Sequence, residues 1–403
     1  MKSIVIRQAN TRLFDYPVDI AIVDGKIKEI SKNVALKGDV EIDAKDKLVT
    51  ESFVNPHLHL CKVYTLMMMD EEALKAYQGG AMGKAMNAIE LAARVKEKYN
   101  ESWILENARK ALKLAALNGV THIRAFADVD SKAKLEGVKA LIKAREEFKN
   151  VVEVQVVAFP QDGVVKEAGA YDLMKQAMDL GADVVGGIPW IELTEADEQK
   201  HIDLMFEIAK EYNKDVSMLV DDAGDPGLRT LEMLAVKTIK EGWFGRTLAH
   251  HARAMALYPE PYFQKVVSLL KKAQMGVVSD PHTGPLHARV RDLLDEDVLV
   301  MFGQDDISDA YYPYGRNNML EVLFLASHIL WMTTRSDMEK MYDMITVKPA
   351  KAIGLKNFKL EVGAEANLVV LNEGNVLEAI RNHGEPLYVI SHGELIDKSK
   401  FNN

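Results

Sequence analysis

The 403-residue chain has a formal net charge of −10 at pH 7 and a pI near 5.7, a balance that argues against nucleic acid or an anionic membrane surface as its main partner. It contains no run of about 18 uncharged apolar residues, so no transmembrane helix is expected, and its single cysteine, Cys61, excludes an internal disulfide and fits a reducing cytoplasm. A chain of this length can form one large α/β barrel with an accessory domain, or two to three ordinary domains.

In chain order, Met1-Lys2-Ser3-Ile4-Val5-Ile6-Arg7 reads as a short strand; its apolar stretch is too brief, and too soon broken by Arg7, for a signal peptide. Val18 to Val23 and Lys26 to Ile30 are strand-like runs separated by Asp24-Gly25, a strong hairpin signal. The last forty residues have the same character, with Ala366 to Leu371, Tyr388 to Ser391, the turn His392-Gly393, and Glu394 to Ile396. Residues 1–52 and 354–403 are therefore expected to pair into one small β-sandwich domain. Between them, 53–353 alternates short apolar strands with longer helical segments such as Asn107 to Ala116 and Ile202 to Lys210. The strands fall near 53–59, 121–129, 153–159, 183–188, 215–220, 247–250, 276–279 and 298–304. Eight βα units closing on themselves predict a TIM barrel, whose active site lies at the carboxyl ends of its strands. The long first connection, 60–102, carries Met67, Met68, Met69, Met82, Met86 and Gly79-Gly80. It is either an ordinary excursion with a helix or a lid over the barrel mouth.

The chemistry starts at His57-Leu58-His59, which ends the apolar run Phe53-Val54-Asn55-Pro56. Residues i and i+2 of a strand share a face, so both imidazoles project together. Gly303-Gln304-Asp305-Asp306 ends another apolar run, and two histidines with a carboxylate from a second strand make half of a hydrolytic metal site. Other polar residues fall at strand ends: Asp128 and Asp130, Gln161, Asp221 and Asp222, His250 and His251. Singly each reads as a cap or turn residue. Jointly, at one face of a barrel, they read as a site.

The runs Val54-Asn55-Pro56-His57-Leu58-His59-Leu60, Gln155 to Gly163, Gly181 to Pro189 and Phe302-Gly303-Gln304-Asp305-Asp306 resemble the amidohydrolase superfamily, and within it the branch holding bacterial cytosine deaminase and N-isopropylammelide isopropylaminohydrolase. The resemblance covers nearly the whole chain. It implies a hydrolase that uses one divalent metal ion, Zn or Fe, and acts on a small heterocyclic substrate. It implies that His57, His59 and Asp305 ligate the metal, that Asp305 also takes a proton from the attacking water, and that His250 stands beside that water. Gln161 matches the side chain that hydrogen-bonds the amide edge of a pyrimidine; Tyr311 can stack on a flat ring, as the family's aromatic there does, or simply pack its loop, and Asp306, at the end of strand 8, is taken as a further substrate-contact candidate. Oligomeric state is left open; a homo-oligomer is compatible with the sequence.

Departures from the family pattern surround the same pocket. Leu219 falls where the strand-5 metal histidine belongs, and leucine cannot bind a metal. Asp221 is the nearest candidate to supply an oxygen there, and Asp222 stands, one methylene shorter, where the family has its acid glutamate. Phe126 replaces a histidine, and Cys61 an aspartate; Cys61 reads as a soft ligand or a small buried hydrophobe. His282 can complete the pocket or simply occupy its loop. Phosphate loops, serine elbows and CxxC pairs are absent. Three readings follow: a deaminase or aminohydrolase of a nitrogen heterocycle, a cyclic or linear amide hydrolase on the same fold, and a barrel that only binds, the last resting on Leu219.

Overall fold

The computed structural model describes residues 3–68 and 93–401. The long first connection, read as an excursion or a lid, lies largely outside them, with Met69, Met82, Met86 and Gly79-Gly80.

Strands β1 (Ser3–Ala9), β2 (Val18–Val23), β3 (Lys26–Ser31) and β4 (Val40–Asp43) form a sheet of order β3-β2-β1-β4, in which only the β1–β4 pair is parallel. The chain then makes β5 (Val49–Glu51) and enters eight parallel strands: β6 (Phe53–Leu58), β7 (Val120–Asp128), β8 (Glu153–Phe159), β9 (Val184–Gly187), β10 (Asp215–Val220), β11 (Thr247–His251), β12 (Gly276–Ser279) and β13 (Val300–Phe302). Every expected barrel strand is present. The ring closes between β13 and β6, where the Asp305 amide donates to His57 O at 2.9 Å and the His59 amide to Asp305 O at 2.8 Å. Closure thus fixes the backbone of the two segments that carry the predicted metal ligands.

Helices between the strands cover the outside, because their apolar stripes and the outward side chains of the strands share one large core. The floor of the barrel, at the amino ends of the strands, is plugged by Ala350, Ile353 and Phe358 against Val54, Leu248, Val278 and Met301.

The chain returns through β14 (Leu368–Val370), β15 (Tyr388–Ser391) and β16 (Glu394–Leu395), which join β5 in a second sheet of order β16-β15-β14-β5. Ile4, Ile6, Ile20 and Ile22 of the first sheet pack with Val49, Leu368, Val370 and Ile390 of the second in one core. The result is a small sandwich built from both chain ends. The Asp24-Gly25 and His392-Gly393 turns meet back to back: Gly393 has φ +75°, and a Cβ there would collide with the backbone of Gly25. The C-terminal segment is not all sandwich. Its helix Val376–Asn382 lays Val376, Ala379 and Ile380 into the barrel's outer core. Among the described residues no helix is long and apolar enough to cross a membrane.

Candidate active site

Strand β6 delivers His57 and His59 to the mouth of the barrel on one face, as the i, i+2 spacing requires. His57 Nε2 lies 3.1 Å from Asp305 Oδ1, and His59 Nε2 lies 3.8 Å from the same oxygen. From the end of β11, His251 Nε2 also comes to 3.8 Å of it. One ligand atom from each of His57, His59, His251 and Asp305 lies within 4.8 Å of the others, and all four residues are buried. The other Asp305 oxygen, Oδ2, accepts from the Thr283 hydroxyl at 2.8 Å and has Arg253 3.6 Å away. That grip turns Oδ1 toward the imidazoles. Gly303 makes the approach possible, since a Cβ there would stand 2.7 Å from His57 Cβ.

The donor set fits a divalent ion that prefers imidazole and carboxylate. Burial, reinforced by Lys62 and His57, holds the His59 imidazole well below its usual range, so it is neutral and offers a lone pair. Burial alone would raise Asp305; His251 and His57 more than reverse this and keep it an anion. A neutral imidazole nitrogen and a carboxylate oxygen turned toward one point in a buried site leave a place for a cation.

His250 is not in this group. It faces the barrel interior, its Nδ1 2.8 Å from His57 Nδ1 and its ring 5.1 Å from that of Phe126. Alternation along β11 turns His250 inward and would turn His251 outward. The backbone leaves strand geometry at His251, with φ +66° there and +48° at Ala252, and so swings the His251 side chain over the mouth. Burial would lower the His251 imidazole, but Asp222 and Asp305 reverse that and push it up to about 9.

Asp221 does not fill the strand-5 position either. Strand β10 ends at Val220, and at φ +47° Asp221 turns its carboxylate away to accept from Thr230 N and Oγ1, both at 2.7 Å, from Leu231 N and from the Tyr258 hydroxyl. It caps the helix Thr230–Glu241. Leu219 instead belongs to an apolar wall with Phe126, Phe159, Ile188 and Trp190. Asp222 does reach the mouth: Oδ1 accepts from Arg253 Nε at 2.7 Å, and Oδ2 stands 3.9 Å from His251 Nε2.

The opposite wall is polar. Gln161 accepts from Lys62 Nζ through Oε1 and donates from Nε2 to the Tyr311 hydroxyl at 3.2 Å. Lys62 lies 3.3 Å from Asp128 Oδ1 and 5.1 Å from the centre of the Tyr311 ring. Lys62, Lys96, Tyr99, Asp128 and Tyr311 border a narrow cavity beside the cluster. Burial, with the charges of Asp305 and Asp309, pushes Asp306 well above the carboxylate range, and burial raises Asp309 to about 6. Cys61 is not among the converging donors; its Sγ accepts from the Asp128 amide at 3.3 Å. His282 stands against Gln304 O at 3.2 Å, outside the group of four.

A model described as the amidohydrolase family matches residues 40–397. The chain belongs to the amidohydrolase family. N-isopropylammelide isopropyl amidohydrolase of Pseudomonas sp. (strain ADP) is 31% identical over 398 residues, 98% of either chain. The structure of 5-methylcytosine deaminase from Klebsiella pneumoniae liganded with 5-fluorocytosine superposes with a TM-score of 0.88 at 29% identity, covering 98% of this chain and 97% of that one. N-isopropylammelide isopropylaminohydrolase from Burkholderia multivorans does so with a TM-score of 0.86 at 25% identity, over 98% of both. These relatives match the branch that the motifs resemble.

Sequence reasoning on this amidohydrolase placed His251 at a strand end but gave the role to His250, and it missed Lys62, Arg253 and Thr283. Of these three only Lys62 left a signal, as a lysine inside the apolar run Leu60 to Val63, and its burial shows only in three dimensions.

Proposed function

We propose that the protein is a metal-dependent hydrolase that cleaves a C–N bond of a small nitrogen heterocycle, by deamination or by release of a substituted amine. The observation that carries this reading is the convergence of His57, His59 and His251 on Asp305 Oδ1. His57, His59 and Asp305 would hold one divalent ion, Zn or Fe. When bound, such an ion lowers the pKa of a coordinated water to about 7.

The chain's own groups do the rest. Thr283 fixes Asp305 so that its carboxylate can accept the water proton. His251, between Asp305 and Asp222, orients the attacking water and passes a proton toward the departing nitrogen. Gln161, Tyr311 and Asp306 hold the ring on the polar wall, while Leu219, Phe126 and Phe159 shape the apolar one. A second reading, hydrolysis of a cyclic or linear amide, is favoured by one observation: Asp222, in the place of the acid that serves a leaving amine, is ion-paired with Arg253 at 2.7 Å.

At this site, protein purified without chelators is expected to carry about one equivalent of Zn or Fe that depends on His57 and His59, as in sites with three protein ligands and an open position. The His57→Ala, His59→Ala double variant should lose it, together with turnover on a panel of aminopyrimidines and aminotriazines. Failure of the wild type to hold Zn, Fe or Mn stoichiometrically under any supplementation would replace this reading with a barrel that only binds. Leu219→His places a polar ring in the apolar wall, and native turnover should fall rather than rise. A Leu219→His enzyme that gains cytosine deamination with no other change would mean that the pocket was never rebuilt.

A further inference from the structure

At the opposite end of the barrel, three ligating side chains meet where the sandwich docks. His122 of β7 and Glu153 of β8 are partners in register, near the amino ends of their strands. His392 lies on the turn between β15 and β16, with φ +51°. One ligand atom from each of the three lies within 4.8 Å of the others.

The hydrogen bonding around His392 is unbalanced. Its Nδ1 lies 2.9 Å from Glu365 Oε1, a carboxylate that can only accept, so Nδ1 carries the proton. In neutral His392 the lone pair is then on Nε2, which is buried, has no hydrogen-bond partner among the described residues and stands 3.4 Å from Glu153 Oε1. Two acceptors face each other and need a cation between them. The buried ring of His122 closes the third side, its centre 5.6 Å from that of His392. A neutral imidazole there offers a lone pair of its own.

We propose that His122, Glu153 and His392 form a second divalent-metal site, which clamps the sandwich to the floor of the barrel. Two imidazoles and a carboxylate suit Zn²⁺ and its imidazole-preferring neighbours Co²⁺, Ni²⁺ and Cu²⁺. The surroundings are those of a ligating histidine, because Nδ1 donates to Glu365 and the His392 amide donates to Asn367 Oδ1 at 2.8 Å. The Glu153 side chain is 44% exposed, which gives an ion a route in and leaves room for water as a fourth ligand. The site lies at the end of the barrel away from Asp305, and its role is structural.

The test is a count of bound metal. Chelator-stripped wild type dialysed against Zn²⁺ should retain two equivalents by elemental analysis, and both His392→Asn and Glu153→Gln should retain one with turnover intact. Asparagine accepts the left-handed backbone of position 392, and Glu153 is at the surface, so at least one variant will fold. Zn²⁺ should raise the unfolding midpoint of the wild type more than that of either variant. The proposal is overturned if the wild type holds a single equivalent that the His57→Ala, His59→Ala variant loses and His392→Asn keeps. It is equally overturned if a second equivalent persists in both variants.

Discussion

Asp305→Asn is expected to lower turnover by at least about a hundredfold while leaving the fold nearly as stable, because it removes both the group that accepts the water proton and the carboxylate oxygen turned toward His57 and His59. The fold itself is spared. Asparagine has the same shape, and it tolerates left-handed backbone such as the φ of +69° at this position better than most residues. An amide oxygen can still accept from the Thr283 hydroxyl now 2.8 Å from Oδ2. The amide nitrogen must then face His57 Nε2, where Oδ1 stands 3.1 Å away today. It brings no charge, no proton-accepting lone pair and no ligand atom for a metal. Steady-state kinetics beside a thermal melt will check this. A variant within a few-fold of wild type on any substrate it turns over would remove Asp305 from the chemistry and with it the strand-8 assignment.

The barrel was legible because parallel strands buried on both faces leave short, nearly continuous apolar runs, and the eight that the sequence shows are the eight that pair. The sandwich was legible as two β-rich ends but not strand by strand. β4 has only one buried residue in four and β5 only three residues, too little for a period-two pattern to register. In the site, His57 and His59 were readable because strand alternation fixes them, and Asp305, at φ +69° beyond the end of β13, because its motif resembles the family's. His251 and Asp221 were not, for one shared reason: each sits just where its strand gives out, at φ +66° and +47°, and alternation no longer says where a side chain points. The two errors have opposite outcomes. A left-handed residue swung His251 into the mouth and swung Asp221 out to cap a helix.

The histidine pair on β11 therefore makes a sharp experiment. His251→Asn should cost about a hundredfold or more in kcat, within the usual range for a positioned proton-transfer group, and added metal should not restore it, because His57, His59 and Asp305 are untouched. His250→Asn should act differently. Its Nδ1 contact of 2.8 Å steadies His57 from behind, so its loss should weaken metal affinity about ten- to a hundredfold, as removal of the partner of a ligating histidine does, and excess metal should recover most of the turnover. Metal titration and kcat measured at saturating metal separate the two. If His250→Asn is the variant that metal cannot rescue and His251→Asn the one that it can, the roles are exchanged, and the left-handed turn at His251 would serve only to close the strand.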